Sequence, residues 1–181
     1  MRFLTKFTSC AVMAACVGGA GPQPFGPVGS TASSAAAGNA SGNGAQTLPV
    51  GQFGALLSEN VNWQAFPAFP PEARLAVLVG EPAKAGPYVV RVKLPAGVKL
   101  MPHTHPEDRI YTVVSGVFYI GLGTTFDADK LQAYAPGSVI VLPANTPHFH
   151  WAKSGDYMTQ VAGTGPLGIK YVDPHDDPRN N

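Results

Sequence analysis

The chain of 181 residues has room for one ordinary domain plus additional segments. Hydrophobic residues make up 45%, enough for a core, and a net charge of +1 offers no basic surplus for nucleic acid or an anionic membrane. The 21 glycines and 18 prolines favour turns and short strands over long helices, and no stretch supplies the roughly eighteen apolar residues of a transmembrane helix.

At the N-terminus, Arg2 and Lys6 precede a short apolar run from Phe7 to Val17, and small residues follow in "CVGGAG". A basic start, a short apolar middle and a small-residue cleavage zone predict an export signal over residues 1–20. "MAAC", ending at Cys16, also resembles a bacterial lipoprotein box, with Met13 where leucine is usual. The expected location is therefore periplasmic or secreted, with any membrane attachment made by the signal or by a lipid on Cys16. Cys10 and Cys16 are the two cysteines, so everything beyond residue 16 lacks a thiol nucleophile, a disulfide and cysteine metal ligands.

From Gly18 to Thr47 only Phe25 and Val28 depart from Gly, Ala, Ser, Thr, Asn, Gln and Pro. Such a segment buries nothing and predicts a flexible linker over residues 21–47, with an r.m.s. span of about 30 Å. A domain is expected over 48–175 and a polar tail over 176–181. Its first part, "LPVGQFGALLSENVNWQAFPAFPPEA", mixes aromatics with prolines and is expected to pack over a sheet. Short β-type runs then alternate with turn signals: "RLAVLVG", "YVVRVKL", "RIYTVVSG", "VFYIGLG", "SVIVLP", "PHFHWA" and "YMTQVAG". "DADKLQAY" is the one candidate helical turn. Many short strands without helical patterns between them predict an all-β sandwich or barrel.

Four of the five histidines come in two pairs, His103 with His105 and His148 with His150. Residues two apart on an extended chain share a face, so each pair aims two imidazoles the same way, as a metal site or catalytic pocket requires. Taken singly, His103 beside Pro102 and Pro106 reads as a loop residue. His148 and His150 also read as two same-face polar residues on an edge strand, a reading as good as the functional one for His150. His175, in the polar "DPHDDPRN", reads as solvated. Tyr111, Val113 and Phe118 read as barrel filling, and Trp151 as packing.

The two blocks have a spacing of their own. Gly97, five residues, His103-Thr104-His105, three residues, Arg109, six residues and Gly116 form the first. Gly137, five residues, Pro143-Ala144-Asn145, two residues, His148, three residues and Ala152 form the second. Together they resemble the paired motifs of the cupin superfamily, over about Tyr88 to Gly163. The resemblance implies a small double-stranded β-helix, a jelly-roll barrel, whose mouth holds a divalent metal ion (Fe, Mn, Ni, Cu or Zn) on His103, His105 and His148. Neutral imidazoles suit those metals. The sequence departs from the motifs at Arg109, where the family has a glutamate ligand, and at Asn145 and Ala152.

Three arrangements follow. The three histidines hold the ion alone, and Arg109 clamps an anionic substrate; or Glu107 or His150 adds a fourth ligand; or no metal binds. Arg109 could instead turn aside to pair with Glu107 or Asp108. A three-histidine centre fits oxygen-dependent cleavage of an enol, diketone or phenolic acid, that is, a dioxygenase, with Arg109, Tyr111 and His150 as candidate catalytic residues. The other classes are a non-catalytic ligand- or metal-sensing module and an interaction domain. A small-molecule ligand is the expected partner, and sheet-to-sheet pairing makes a homodimer an expectation too.

Protein recovered from an expressing bacterium is expected to lack residues 1 to about 20, and Cys16→Ser to release it from membranes if the cysteine carries lipid. N-terminal sequencing and fractionation check both, and full-length protein in the cytoplasm is the opposing result.

Overall fold

The computed structural model describes residues 47–180. The expected export signal, both cysteines and all but the end of the expected linker lie outside the described residues. Ten strands run in chain order as β1 (Arg74–Val79), β2 (Gly86–Leu94), β3 (Lys99–Thr104), β4 (Arg109–Ser115), β5 (Phe118–Leu122), β6 (Gln132–Tyr134), β7 (Val139–Leu142), β8 (His148–Trp151), β9 (Tyr157–Gly165) and β10 (Lys170–Tyr171). They form two five-stranded antiparallel sheets, β1-β2-β9-β4-β7 and β10-β3-β8-β5-β6. This is the expected all-β jelly roll. Among the described residues no helix is long and apolar enough to cross a membrane.

The seven predicted runs become β1, β2, β4, β5, β7, β8 and β9. Their alternation explains how they pack. On β2, Tyr88, Val90, Val92 and Leu94 turn inward, and on β9 Tyr157, Thr159 and Val161 do the same. With Leu100, Val113 and Phe118 they form one core between the sheets. Residues 62–73 close over it: Gln64 bonds both ways with Leu75, and Phe69 is buried edge-on to Phe66. At the start of the described chain, Leu48 N–H donates to Leu78 and the Leu48 carbonyl accepts from Gly80.

Three strands lack a sequence signature. β10 has two residues. β6 occupies the end of "DADKLQAY", where a helical turn was expected. Asp127 caps one 3-10 turn over Ala128–Lys130, but the chain then pairs with β5, Tyr134 facing Phe118. A single capped turn is a weak helix nucleus, and the sheet edge supplies more hydrogen bonds. β3 carries Pro102, which argues against a strand interior.

Pro102 is tolerated because β3 is irregular there. Leu100 pairs with His150 and His103 pairs with His148, so three steps on β3 match two on β8. That β-bulge leaves an unpaired position where a residue without N–H costs the ladder little. It also decides orientation. In a regular strand Leu100 and His103 would face opposite sides, whereas here both are buried in the interior.

On the outer face of the second sheet, Phe149 lies over its cross-strand partner Gly121 and beside Phe126. A Cβ on Gly121 would collide with the Phe149 ring. Gly121→Ala is expected to destabilise the fold by about 1–3 kcal/mol, with partial recovery when Phe149→Leu is added. Urea unfolding of both variants checks this, and an unaffected single variant would show that the ring can move aside.

Candidate metal centre

His103 is the last residue but one of β3, His105 follows the strand, and β8 carries His148 and His150. β8 lies between β3 and β5, so this pair is on a central strand and not on an edge. All four imidazoles are buried, with His103 and His148 at 0% exposure. Ring centroids are 4.2 Å apart for His103 and His148, 4.9 Å for His103 and His105, and 5.0 Å for His105 and His148. One ring nitrogen from each of these three lies within 4.8 Å of the others, forming a group that could hold a metal ion. His150 packs against two of them, 5.4 Å from His103 and 5.1 Å from His148, outside that group.

Hydrogen bonding fixes the tautomers of the three. His103 Nδ1 is 2.7 Å from the Met101 carbonyl, His105 Nδ1 is 2.7 Å from Gly168 O, and His148 Nδ1 is 2.9 Å from Thr146 O. A carbonyl only accepts, so each Nδ1 carries the proton and each Nε2 keeps a lone pair. The Nε2 atoms of His103, His148 and His150 are buried without any partner, and His105 Nε2 has only the Tyr111 hydroxyl, at 3.4 Å. A buried acceptor left unpaired costs about 1–3 kcal/mol. Convergent bare lone pairs are what a cation would satisfy, so the donor set fits a divalent metal.

The electrostatics point the same way. Burial pushes all four imidazole pKa values below the ordinary range, His148 down to about 4. For His103 and His150 the neighbouring imidazoles add to this, and for His105 the Arg109 guanidinium does. The cluster is neutral at physiological pH, the state that binds metals.

The remaining candidates stand on β4 and just before it. Tyr111 is buried, stacks on Phe118 at 5.7 Å, and burial holds its pKa up. Arg109 is buried too, and its guanidinium is paired within the chain. Nε and Nη2 both donate to Glu107 Oε1, at 2.9 and 2.6 Å, and Nη2 donates again to Gly168 O at 3.0 Å. Of the two expected arrangements, an anion clamp or a pairing with a neighbouring carboxylate, the structure shows the pairing with Glu107. Glu107, expected as a fourth ligand, stands outside the histidine group for the same reason. Its Oε1 also accepts from Tyr88 at 2.8 Å and its Oε2 from Gly168 N at 3.3 Å. Asp108, the other suggested partner of Arg109, accepts from Ala144 N. His175 is exposed and bonds Asp173, far from this chemistry in role.

The space left beside the imidazoles is small. A cavity of about 20 Å³, bordered by His103, His105, His150, Arg109, Tyr111 and Phe69, has the volume one water needs. Phe69 forms part of its cover, and the buried Tyr171 hydroxyl ties that segment down by donating to the Ala68 carbonyl at 2.8 Å. Sequence reasoning missed Tyr88, Gly168, Tyr171 and Phe69. None carried a motif, and their roles arise from contacts across the fold.

A family model described as Cupin matches residues 84–165. Among solved structures, the polyketide cyclase RemF from Streptomyces resistomycificus aligns at 16% identity and TM-score 0.59, over 71% of this chain and 92% of that one. An RmlC-like cupin protein from Ralstonia eutropha JMP134 aligns at 22% identity and TM-score 0.53, over 70% and 76%. The DMSP lyase DddQ from Ruegeria pomeroyi DSS-3 aligns at 20% and 0.51, over 62% and 61%. No curated protein sequence matches the chain. The two sheets, the paired histidine blocks and the family match over residues 84–165 together support the cupin superfamily for the domain that holds them.

The neutral cluster has a measurable consequence without metal. An unfolded histidine titrates near 6.5, whereas the folded imidazoles resist protonation to lower pH. Below about pH 6.5 the unfolded chain therefore binds more protons, and stability falls with falling pH. The metal-free protein is expected to show a flat unfolding free energy above that pH and a slope of more than one proton between pH 6 and 4.5. Equal stability at pH 7 and 5 would contradict the buried, neutral assignment.

Proposed function

We propose that the protein is an exported, metal-dependent cupin that handles a small organic molecule, with His103, His105 and His148 as the metal ligands. The observation that carries the reading is the arrangement of three imidazoles whose Nδ1 protons are held by carbonyls while their Nε2 lone pairs converge. Export rests on the residue pattern of positions 1–20 and the uncharged segment after it.

A redox-active ion in this position would supply oxygen chemistry, and a zinc ion Lewis acidity. The chain's own residues have separate tasks. The carbonyls of Met101, Thr146 and Gly168 orient the ligands. Tyr111, whose pKa is held up by burial, keeps a hydroxyl proton beside His105 Nε2. His150 lines the residual cavity with an unpartnered Nε2 and is the candidate to meet a bound molecule. Phe69, Leu100 and Val161 exclude bulk water. Because Glu107 neutralises Arg109, the molecule need not be an anion. Oxygen-dependent cleavage of an enol or diketone is the reaction class we assign. A solved cyclase and a solved lyase with this fold are in keeping with small-molecule chemistry.

The cavity favours one second reading. Space for a single water beside the ion suits a sensing or metal-storing module that opens only for exchange.

Metal analysis of untagged protein decides the site. Wild type is expected to carry close to one ion per chain, and His103→Ala, His105→Ala and His148→Ala each to lose it, since two imidazoles hold a divalent ion poorly. His175→Ala is expected to retain it. Equal metal in wild type and the three variants would remove the site. Oxygen uptake with 1,3-dicarbonyl and phenolic compounds then separates enzyme from module.

A further inference from the structure

Two of the three proposed ligands are oriented locally. His103 and His148 each bond the carbonyl two residues earlier in their own segment, Met101 and Thr146. His105 is different. Its Nδ1 proton goes to Gly168, 63 residues away, in the connection between β9 and β10. The alignment of His105 therefore depends on whether that connection is docked.

Leu167 N–H donates to the Pro82 carbonyl at 2.7 Å, and at Gly168 itself the connection is held by the Glu107–Arg109 pair. Arg109 Nη2 donates to the same Gly168 carbonyl that His105 uses, at 3.0 Å, while Gly168 N donates to Glu107 Oε2 at 3.3 Å. The pair thus grips both the carbonyl and the amide of one residue. Tyr88 steadies the carboxylate, and its hydroxyl passes over Gly163, where a Cβ would come within 2.6 Å of it. Gly168 itself lies against the Pro106 ring, and a Cβ there would be 2.7 Å from Pro106 Cγ. Both partners are nearly buried, at 5% and 9% exposure, so the ion pair is barely screened by solvent.

We infer that Glu107 and Arg109 are positioning residues that act through the Gly168 backbone to set the direction and tautomer of His105. The inference rests on the metal reading above for its affinity readout, but its structural core is independent of it. Arg109, the residue at the position of the family's carboxylate ligand, would then serve the site from behind a ligand.

The test compares wild type with Glu107→Gln, with Gly168→Ala, and with the double variant Glu107→Leu/Arg109→Met. The double variant removes both charges at similar volume, so it keeps a measurable fold if a lone buried guanidinium unfolds Glu107→Gln. Two readouts are taken on the full chain: Co(II) affinity with its visible spectrum, and the ¹⁵N signals of the histidine rings in metal-free protein. All variants are expected to lose 10–100-fold in Co(II) affinity with a changed spectrum. In the metal-free protein the His105 ring should leave its Nδ1–H form while His103 and His148 keep theirs. Tyr88→Phe, which leaves the grip on Gly168 intact, should show the smallest change. If wild type binds no Co(II), the metal reading fails and the ring signals alone decide the inference. Unchanged His105 signals in folded Glu107→Gln or in the folded double variant would overturn it, as would affinity within twofold of wild type. Saturable acetate binding that depends on Arg109 would overturn it too, because an anion would then hold the place assigned to Glu107.

Discussion

A polar atom in a dry interior must find a partner, and in this barrel that requirement falls hardest on four imidazoles. Each has two ring nitrogens that cannot both be satisfied by the surrounding hydrocarbon. On His103, His105 and His148, one nitrogen is answered by a backbone carbonyl, which leaves the other committed as an acceptor pointing inward. The direction of the lone pairs is thus a product of backbone geometry, fixed before any ion arrives. Preorganisation of this kind lowers the reorganisation needed on binding.

The same accounting explains why the two sheets are mutually dependent around the site. The imidazoles rise from the second sheet, while Arg109, Tyr111 and Tyr88 project from the first. Tyr111 meets His105 directly, and Arg109 and Tyr88 reach the imidazoles through Glu107 and Gly168, which lie in the connections after β3 and after β9. A buried ion pair is weak evidence for stability, since desolvation offsets much of its attraction. Here its three additional hydrogen bonds account for why it can sit inside, and what it contributes is a specified geometry.

The fold and the three central histidines were legible because both follow a period of two. Val, Ile and Tyr alternating along β2, β4 and β9 gave the strands, and the His-Thr-His and His-Phe-His triplets gave the convergent faces. What escaped was whatever depends on a break in that period or on distant partners. The bulge at Leu100–His103 cannot be counted from spacing, and Pro102 argued against the strand that contains it. Arg109 shares parity with His103 and His105, so its inward direction was foreseeable, and Glu107 was one of its two candidate partners; the choice between Glu107 and Asp108 was not, because Pro106 interrupts the run before both. Gly168 looked like any loop glycine in "GPLGIK". The small volume beside the imidazoles was also invisible, since it is bordered by residues from several strands and by Phe69, which joins the interior from before the first strand.

The tie between Tyr171 and Ala68 fixes the segment that carries Phe69, one of the residues bordering the cavity. Were the segment around residues 66–70 to stay shut over the roughly 20 Å³ of space beside the imidazoles, exchange with solvent would wait for its local opening. For an ion held there, residence time would follow the frequency of that opening and not the strength of its bonds to nitrogen. Chelators of very different affinity would then strip it at one shared rate, a kinetic signature of a gate carried by the fold itself.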